Sequence, residues 1–348
     1  MVKNIFKFKF SFISLIIFIV ASVTLTFIIS KIIYSKNNLK VASTSENINM
    51  NRVNNDCLDY KITRLKGYKY IKPIMFIDND CQSEKLSYIK TEVSKVFDFY
   101  KQNGSIISAS FYLKDYLSNN WIALNENEKY SPGSILKVPA LITILKMSEI
   151  NPQILSKKIT YNKVYNVNVH PKYVSKNAIE FGKSNTVKEL LSYMIKYSDN
   201  NATLLLNEII DVKLFKKLFT DFGFKEVDWN ASDYEMNVKE CSYFLHALYN
   251  ANYLNLNNSE FAIELLSKSD FKEGINSSIP SNINVAEKFG ESGDLNTRQM
   301  HETAIIYLNE RPYLLTIMTK GKDINNLPEI IKKTSYAIYS RMTLLNNK

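Results

Sequence analysis

Strand-like runs at both ends of this chain, separated by a long helical stretch, constrain its fold more than any other feature. Ile106 to Leu113 and Trp121 to Leu124 are short, apolar and rich in β-branched and aromatic residues. Three more such runs lie near the carboxyl end, one around Lys288, then His301 to Leu308 and Tyr313 to Thr319. From about residue 134 to 268 the pattern is helical. Strands that come first and last, with helices between, predict one sheet assembled from both chain ends and packed on a helical subdomain. This is an α/β architecture with helices on both sides of the sheet. Leu86, Ile89, Val93, Val96 and Phe97 mark a helix before the first strand, and a closing helix follows Gly321.

With 348 residues and 45% hydrophobic content, the chain can bury a substantial core. Its amino-terminal part has a different character. Phe10 to Ser30 carries no charge and is long enough to cross a bilayer as a helix. Lys3, Lys7 and Lys9 precede it, favouring a cytoplasmic amino terminus, although Lys31 and Lys36 follow closely. No small-residue cleavage site follows Thr26, which favours an uncleaved anchor over a signal peptide. The predicted organisation is a cytoplasmic stub over residues 1–9, a transmembrane anchor over 10–30, a polar linker and short preface over 31–80, and the main domain over 81–348. A single-pass protein of the cell membrane with its domain outside the cytoplasm follows.

The net charge of +10 would suit nucleic acid in a cytosolic protein, but the lysines are scattered rather than striped and the domain is expected outside the cell. No nucleic-acid partner is expected. Cys57, Cys81 and Cys241 are the only cysteines, and their spacing gives neither a zinc site nor a disulfide framework, so no metal or cofactor is expected. Cys57 and Cys81 flank the strand-like run Tyr70 to Ile77, and a bridge between them is conceivable outside the membrane. Cys241 lies in an apolar helical run and reads as a core residue. The three histidines, His170, His246 and His301, lie near no Gly-x-Ser-x-Gly elbow, which disfavours a Ser-His-Asp triad.

Chemistry enters at Ser134-Ile135-Leu136-Lys137, where an amine stands one helical turn from a hydroxyl. A desolvated lysine there can lose its proton near neutral pH and serve as the base for a serine nucleophile. Ser87/Lys90 and Ser269/Lys272 share the spacing, so the spacing alone decides nothing. What separates the Ser134 copy is its company: Ser198-Asp199-Asn200 follows about sixty residues later and Lys288-Phe289-Gly290 about ninety after that. S-x-x-K, S-D-N and K-T-G in this order mark class A β-lactamases and penicillin-binding proteins, and the chain resembles that superfamily over roughly residues 84 to 345. The third motif departs, with Phe289 where the family has Thr or Ser.

The resemblance implies the family's α/β fold, with the site where sheet and helical subdomain meet. It also implies a role for each matched residue. Ser134 is the nucleophile and Lys137 its base or proton relay. The oxyanion is held by the N–H of Ser134 and that of a residue just after Gly290, assigned to Ser292 or its neighbour. Ser198 passes a proton to the leaving nitrogen, Asn200 donates to a substrate amide, and Asp199 braces the loop. Lys288 raises the positive potential for a substrate carboxylate. Phe289 lacks the hydroxyl that would bind that carboxylate, and Arg298 is the candidate replacement. Glu226 and Asn230 match the Glu-x-x-x-Asn spacing of the deacylating loop, but the connection from Gly223 to Asn237 is shorter than the family's, so slow deacylation is expected. The leading expectation is a membrane-anchored serine hydrolase that forms an acyl-enzyme at Ser134 and opens a β-lactam or related amide. The alternatives are a D-alanyl-D-alanine carboxypeptidase acting on peptidoglycan-type peptides, and a non-hydrolytic module that binds β-lactams or wall peptides.

Overall fold

The computed structural model describes residues 60–165, 172–228, 234–294 and 296–346. A hairpin of β1 (Tyr60–Arg64) and β2 (Ile74–Asn79) leads into helix α1 (Ser87–Gln102) and strands β3 (Ser108–Asp115) and β4 (Trp121–Leu124). Helix α2 (Lys137–Ile150) follows, then the short pair β5 (Lys158–Thr160) and β6 (Ser184–Thr186). Helices α3 (Val187–Lys196), α4 (Asn200–Asn207), α5 (Val212–Asp221), α6 (Val238–Tyr249) and α7 (Leu256–Ser267) complete the helical stretch. The chain ends with β7 (Val285–Gly293), β8 (Arg298–Ile306), β9 (Tyr313–Gly321) and α8 (Leu327–Asn346).

β3 and β4 join the last three strands in one antiparallel sheet of order β4-β3-β9-β8-β7, so both chain ends do build it. Alternation then sorts the side chains by face. Phe111, Leu113, Leu315 and Ile317 pack with Ile89, Val93, Ile331 and Ile338 of α1 and α8. Tyr112, Leu314, Ala286 and Ile305 face the other way, into the core built by α2 to α7. Helix α2 runs through that second core and is buried from Lys137 to Leu145, with Val138, Leu141, Ile142, Ile144 and Leu145 inaccessible to solvent. The β5–β6 pair interrupts what the sequence predicts as an all-helical stretch; its strands are three residues long and none of their residues is buried, so they carry little apolar pattern.

The preface is not separate from the domain. Met75 and Phe76 of β2 are buried, and Phe76 packs against Phe222, Tyr243 and His246. Lys114 of β3 forms a buried ion pair with Asp78 at 2.7 Å, and the Tyr243 hydroxyl donates to the same carboxylate at 2.7 Å. The domain boundary expected near residue 80 therefore falls inside a packed unit. Cys81 is disulfide-bonded and Cys241 is free and buried. No helix among the described residues is long and apolar enough to cross a membrane. Phe10 to Ser30, Cys57 and His170 lie outside the described residues.

Candidate active site

Ser134 sits in a single 3-10 turn, Gly133–Leu136, that runs directly into α2. Edge strand β7 presses against this turn, and two glycines permit it. A Cβ on Gly290 would stand 2.3 Å from the Pro132 carbonyl oxygen and 3.1 Å from Ser134 N. A Cβ on Gly133 would stand 2.2 Å from the Glu291 carbonyl oxygen, and Gly133 also adopts φ +53°, a left-handed conformation that favours glycine. Three side chains from β7 and β8 pin the preceding residue. Gln299 Oε1 accepts from Ser131 N at 3.0 Å, and Ser292 Oγ donates to Ser131 O at 2.6 Å. His301 accepts from Thr319 N at Nδ1, so its proton sits on Nε2, which donates to Ser131 O at 3.0 Å. Burial keeps His301 neutral, pushed down to about 3.

The hairpin register decides which backbone groups of β7 face the nucleophile. Asp294 N donates to Thr297 O and Tyr307 N to Asn284 O, and hydrogen-bonded pairs recur at every second residue of an antiparallel ladder. Gly290 and Ser292 therefore turn their N–H groups into the β7–β8 ladder. Glu291 turns its own toward the open edge, where the Ser134 turn lies. The N–H that faces the Ser134 turn is thus that of Glu291 rather than that of Ser292, whose hydroxyl braces Ser131 instead.

Lys137, Ser198, Asn200 and Lys288 meet in one hydrogen-bonded group. Lys137 Nζ lies 2.6 Å from Ser198 O, 2.7 Å from Asn200 Oδ1 and 3.1 Å from Ser198 Oγ. Lys288 Nζ approaches the same Ser198 Oγ at 3.0 Å and donates to Phe289 O at 2.8 Å. Both lysines are buried. Burial, with the Lys288 charge close by, holds the Lys137 ammonium well below its ordinary range, against the pull of Asp199. Burial lowers Lys288 as well, against the attraction of Glu287 and other carboxylates. A neutral Lys137 has two hydrogens, which suit Ser198 O and Asn200 Oδ1, and one lone pair left to accept a proton. Ser198 itself adopts φ 52°, rare for a residue with a side chain and worth of order 1–3 kcal/mol of strain. Asp199 holds the loop that imposes it: its carboxylate caps α4 at Asn201 N and Ala202 N and accepts from Ile179 N at 2.7 Å.

Ser134 and Lys137 open onto a cavity of about 340 Å³ lined also by Thr203, Asn207, Asp228 and Tyr234. These residues were not legible beforehand, although Thr203 and Asn207 fall three and seven positions after Asn200, on one face of a helix. Glu226 is elsewhere: its exposed carboxylate pairs with Lys216 at 3.3 Å and does not line the cavity. Asn230 and Asp233 lie outside the described residues. Arg298 stands opposite Gly293 at the β7–β8 turn, where its charge acts on Asp294. Of the other two Ser-x-x-Lys pairs, Lys90 donates to Gln82 and Lys272 to the Ser269 carbonyl, so neither lysine serves its serine.

Residues 89–342 match the β-lactamase enzyme family. The chain belongs to this family. Solved structures of β-lactamases and penicillin-binding proteins share the fold at low identity. A class A β-lactamase from Mycobacterium abscessus is 19% identical and superposes with a TM-score of 0.60, covering 73% of this chain and 99% of that one. PBP-A is 13% identical with a TM-score of 0.60, covering 73% of this chain and 96% of its own. A PBP-A mutant, captured as an acyl-enzyme complex with penicillin G, gives the same score at 13% identity over 73% of this chain and 97% of that one. No curated protein sequence matches this chain.

Proposed function

We propose that this protein is a membrane-anchored serine hydrolase that takes an acyl group from a β-lactam or related amide onto Ser134, outside the membrane. The observation that carries the reading is the convergence of Lys137 and Lys288 on one hydroxyl, Ser198 Oγ, beside the turn that bears Ser134. Ser134 Oγ attacks the substrate carbonyl and its proton passes to neutral Lys137. The oxygen that becomes negative is met by the N–H groups of Ser134 and Glu291, a form of stabilisation worth about 3–4 kcal/mol per donor. The C–N bond then breaks, and the proton returns from Lys137 through Ser198 to the leaving nitrogen. Asn200, with its carbonyl turned to Lys137, presents its amide hydrogens to the substrate. Water finally cleaves the Ser134 ester.

That a penicillin-bound acyl-enzyme exists for the related fold of PBP-A supports a β-lactam as acyl donor. The uncharged run Phe10 to Ser30 supports the anchor, and the disulfide at Cys81 suits an oxidising compartment. The test is intact-mass analysis of the protein with excess benzylpenicillin and, separately, with a D-Ala-D-Ala peptide. A penicilloyl adduct that forms and is then released as penicilloic acid is the expected result. Cleavage of the peptide without release of the penicilloyl group would replace the reading with a carboxypeptidase.

A further inference from the structure

We infer that the β1–β2 hairpin is a membrane contact in its own right, laying its exposed side chains and connecting loop onto a bilayer surface rich in anionic phospholipid. The inference is independent of the chemistry at Ser134 and draws on the anchor read from the sequence only for proximity. It concerns a segment that lies ahead of the family match, which begins at residue 89.

Two properties coincide on this hairpin. The first is apolar exposure. Ile62 and Ile77, directly opposite each other in the register, are 48% and 43% exposed. Tyr68, Ile71 and Ile74, in and beside the connecting loop, are 45–58% exposed, and Tyr70 is 86% exposed. Large apolar side chains scattered singly over a surface need no explanation, but a group of them gathered on one hairpin marks an interaction site. The second property is charge. Lys61, Arg64, Lys66, Lys69 and Lys72 are all exposed, and no Asp or Glu falls between Asp59 and Asp78. None of the five forms an ion pair among the described residues.

A lipid surface is the occupant that answers both properties. Phosphate headgroups attract the cations, and the boundary beneath them takes up isoleucine and tyrosine, whose ring is apolar while its hydroxyl stays wet. A soluble polyanion would satisfy the cations and leave Tyr70 and Ile71 in water. An apolar protein groove would bury the rings and strand the cations. The chain also supplies proximity: only residues 31–59 separate the uncharged run Phe10 to Ser30 from β1, so insertion of that run keeps the hairpin at high effective concentration beside the bilayer.

The hairpin is already ordered by the domain. Met75 and Phe76 are buried, Asp78 pairs with Lys114 and accepts from the Tyr243 hydroxyl, and Arg64 Nη1 donates to Lys72 O across the base of the loop. Its exposed side chains project from a backbone that contact with lipid need not fold, which lowers the entropic cost of binding.

The experiment follows Tyr70 in the full-length protein, reconstituted in nanodiscs of phosphatidylcholine alone or of an equimolar mixture with phosphatidylglycerol. The rate at which a water-soluble diazonium reagent modifies the ring is read by mass spectrometry. In the mixed discs Tyr70 should react at least roughly tenfold more slowly than in the neutral ones, while Tyr336, exposed on α8, should react equally in both. Lys66→Glu combined with Lys69→Glu, two exposed positions, should abolish the difference. Equal rates for Tyr70 in the two discs overturn the inference, and so does protection that the double charge reversal leaves intact or that Tyr336 shares. Slow modification in detergent that deepens with protein concentration would give the surface to a second copy of the chain instead.

Discussion

Lys137 and Lys288 share a single oxygen, approaching Ser198 Oγ at 3.1 and 3.0 Å from opposite elements, the first residue of α2 and the middle of β7. Two buried ammonium groups held this close destabilise each other's charge. Lys137 yields, because burial and the Lys288 charge both act on it. That lowering favours the neutral amine, a base that needs no histidine.

The sign of the pH dependence follows. Acylation needs neutral Lys137, so its rate should rise with pH through the lowered pKa and level off well before about 10.4, where an ordinary lysine titrates. In Lys288→Met the charge that depresses Lys137 is gone, and the inflection should move to higher pH even as the rate falls. Stopped-flow acylation across pH gives both numbers. A parent inflection at the ordinary lysine value, or a downward move in Lys288→Met, would contradict the assignment.

Gly290→Ala should cost acylation roughly 100- to 1,000-fold, the scale of a lost oxyanion donor. Its Cβ would sit 2.3 Å from the Pro132 carbonyl, which is backbone and must shift, carrying the Ser134 turn away from Glu291 N. Circular dichroism should show the fold retained. An acylation rate close to the parent's would mean that the approach of β7 to the turn has no catalytic role.

Deacylation separates two carboxylates. Glu226→Gln should leave the adduct lifetime unchanged, because that carboxylate is exposed and paired with Lys216. Asp228 lines the cavity beside Ser134 and Lys137, so Asp228→Asn should lengthen the lifetime, by up to about 100-fold if it positions the water. Lifetimes read from the decay of the adduct mass decide between them. Lengthening by Glu226→Gln alone would reverse the assignment.

Asp78→Ala should destabilise the domain by about 3–5 kcal/mol, since it strands the buried Lys114 ammonium. Urea denaturation measures this directly. A loss below about 1 kcal/mol, the level of an exposed pair, would show that the β1–β2 hairpin is not integral to the domain.

How much of this was legible in the sequence follows from what each feature depends on. Ser134 and Lys137 stand out because their spacing is local and the Ser198 and Lys288 motifs lie at consistent distances from it. The mixed order of strands and helices likewise dictates a sheet drawn from both chain ends. The choice between Ser292 and its neighbour as the residue whose N–H faces the Ser134 turn stayed open in the sequence, because that direction depends on the parity of the β7–β8 register, which no single strand encodes. Gln299 and His301 escaped as supports of Ser131 because they act across about 170 residues of chain, through a backbone carbonyl and an amide that leave no pattern. The preface resisted for a similar reason: Phe76 and Asp78 find partners in α6 and β3, and alternation alone gives Ile74 to Asn79 no sign of them.

The central claim is that Ser134, served by Lys137, takes the acyl group. It is tested most directly by peptide mapping of the protein quenched soon after mixing with benzylpenicillin. The adduct should map to the peptide containing Ser134, vanish in Ser134→Ala, persist in Ser87→Ala and Ser269→Ala, and form at least about 100-fold more slowly in Lys137→Ala. Undiminished labelling of Ser134→Ala, or an adduct on any other serine in the parent protein, would contradict it.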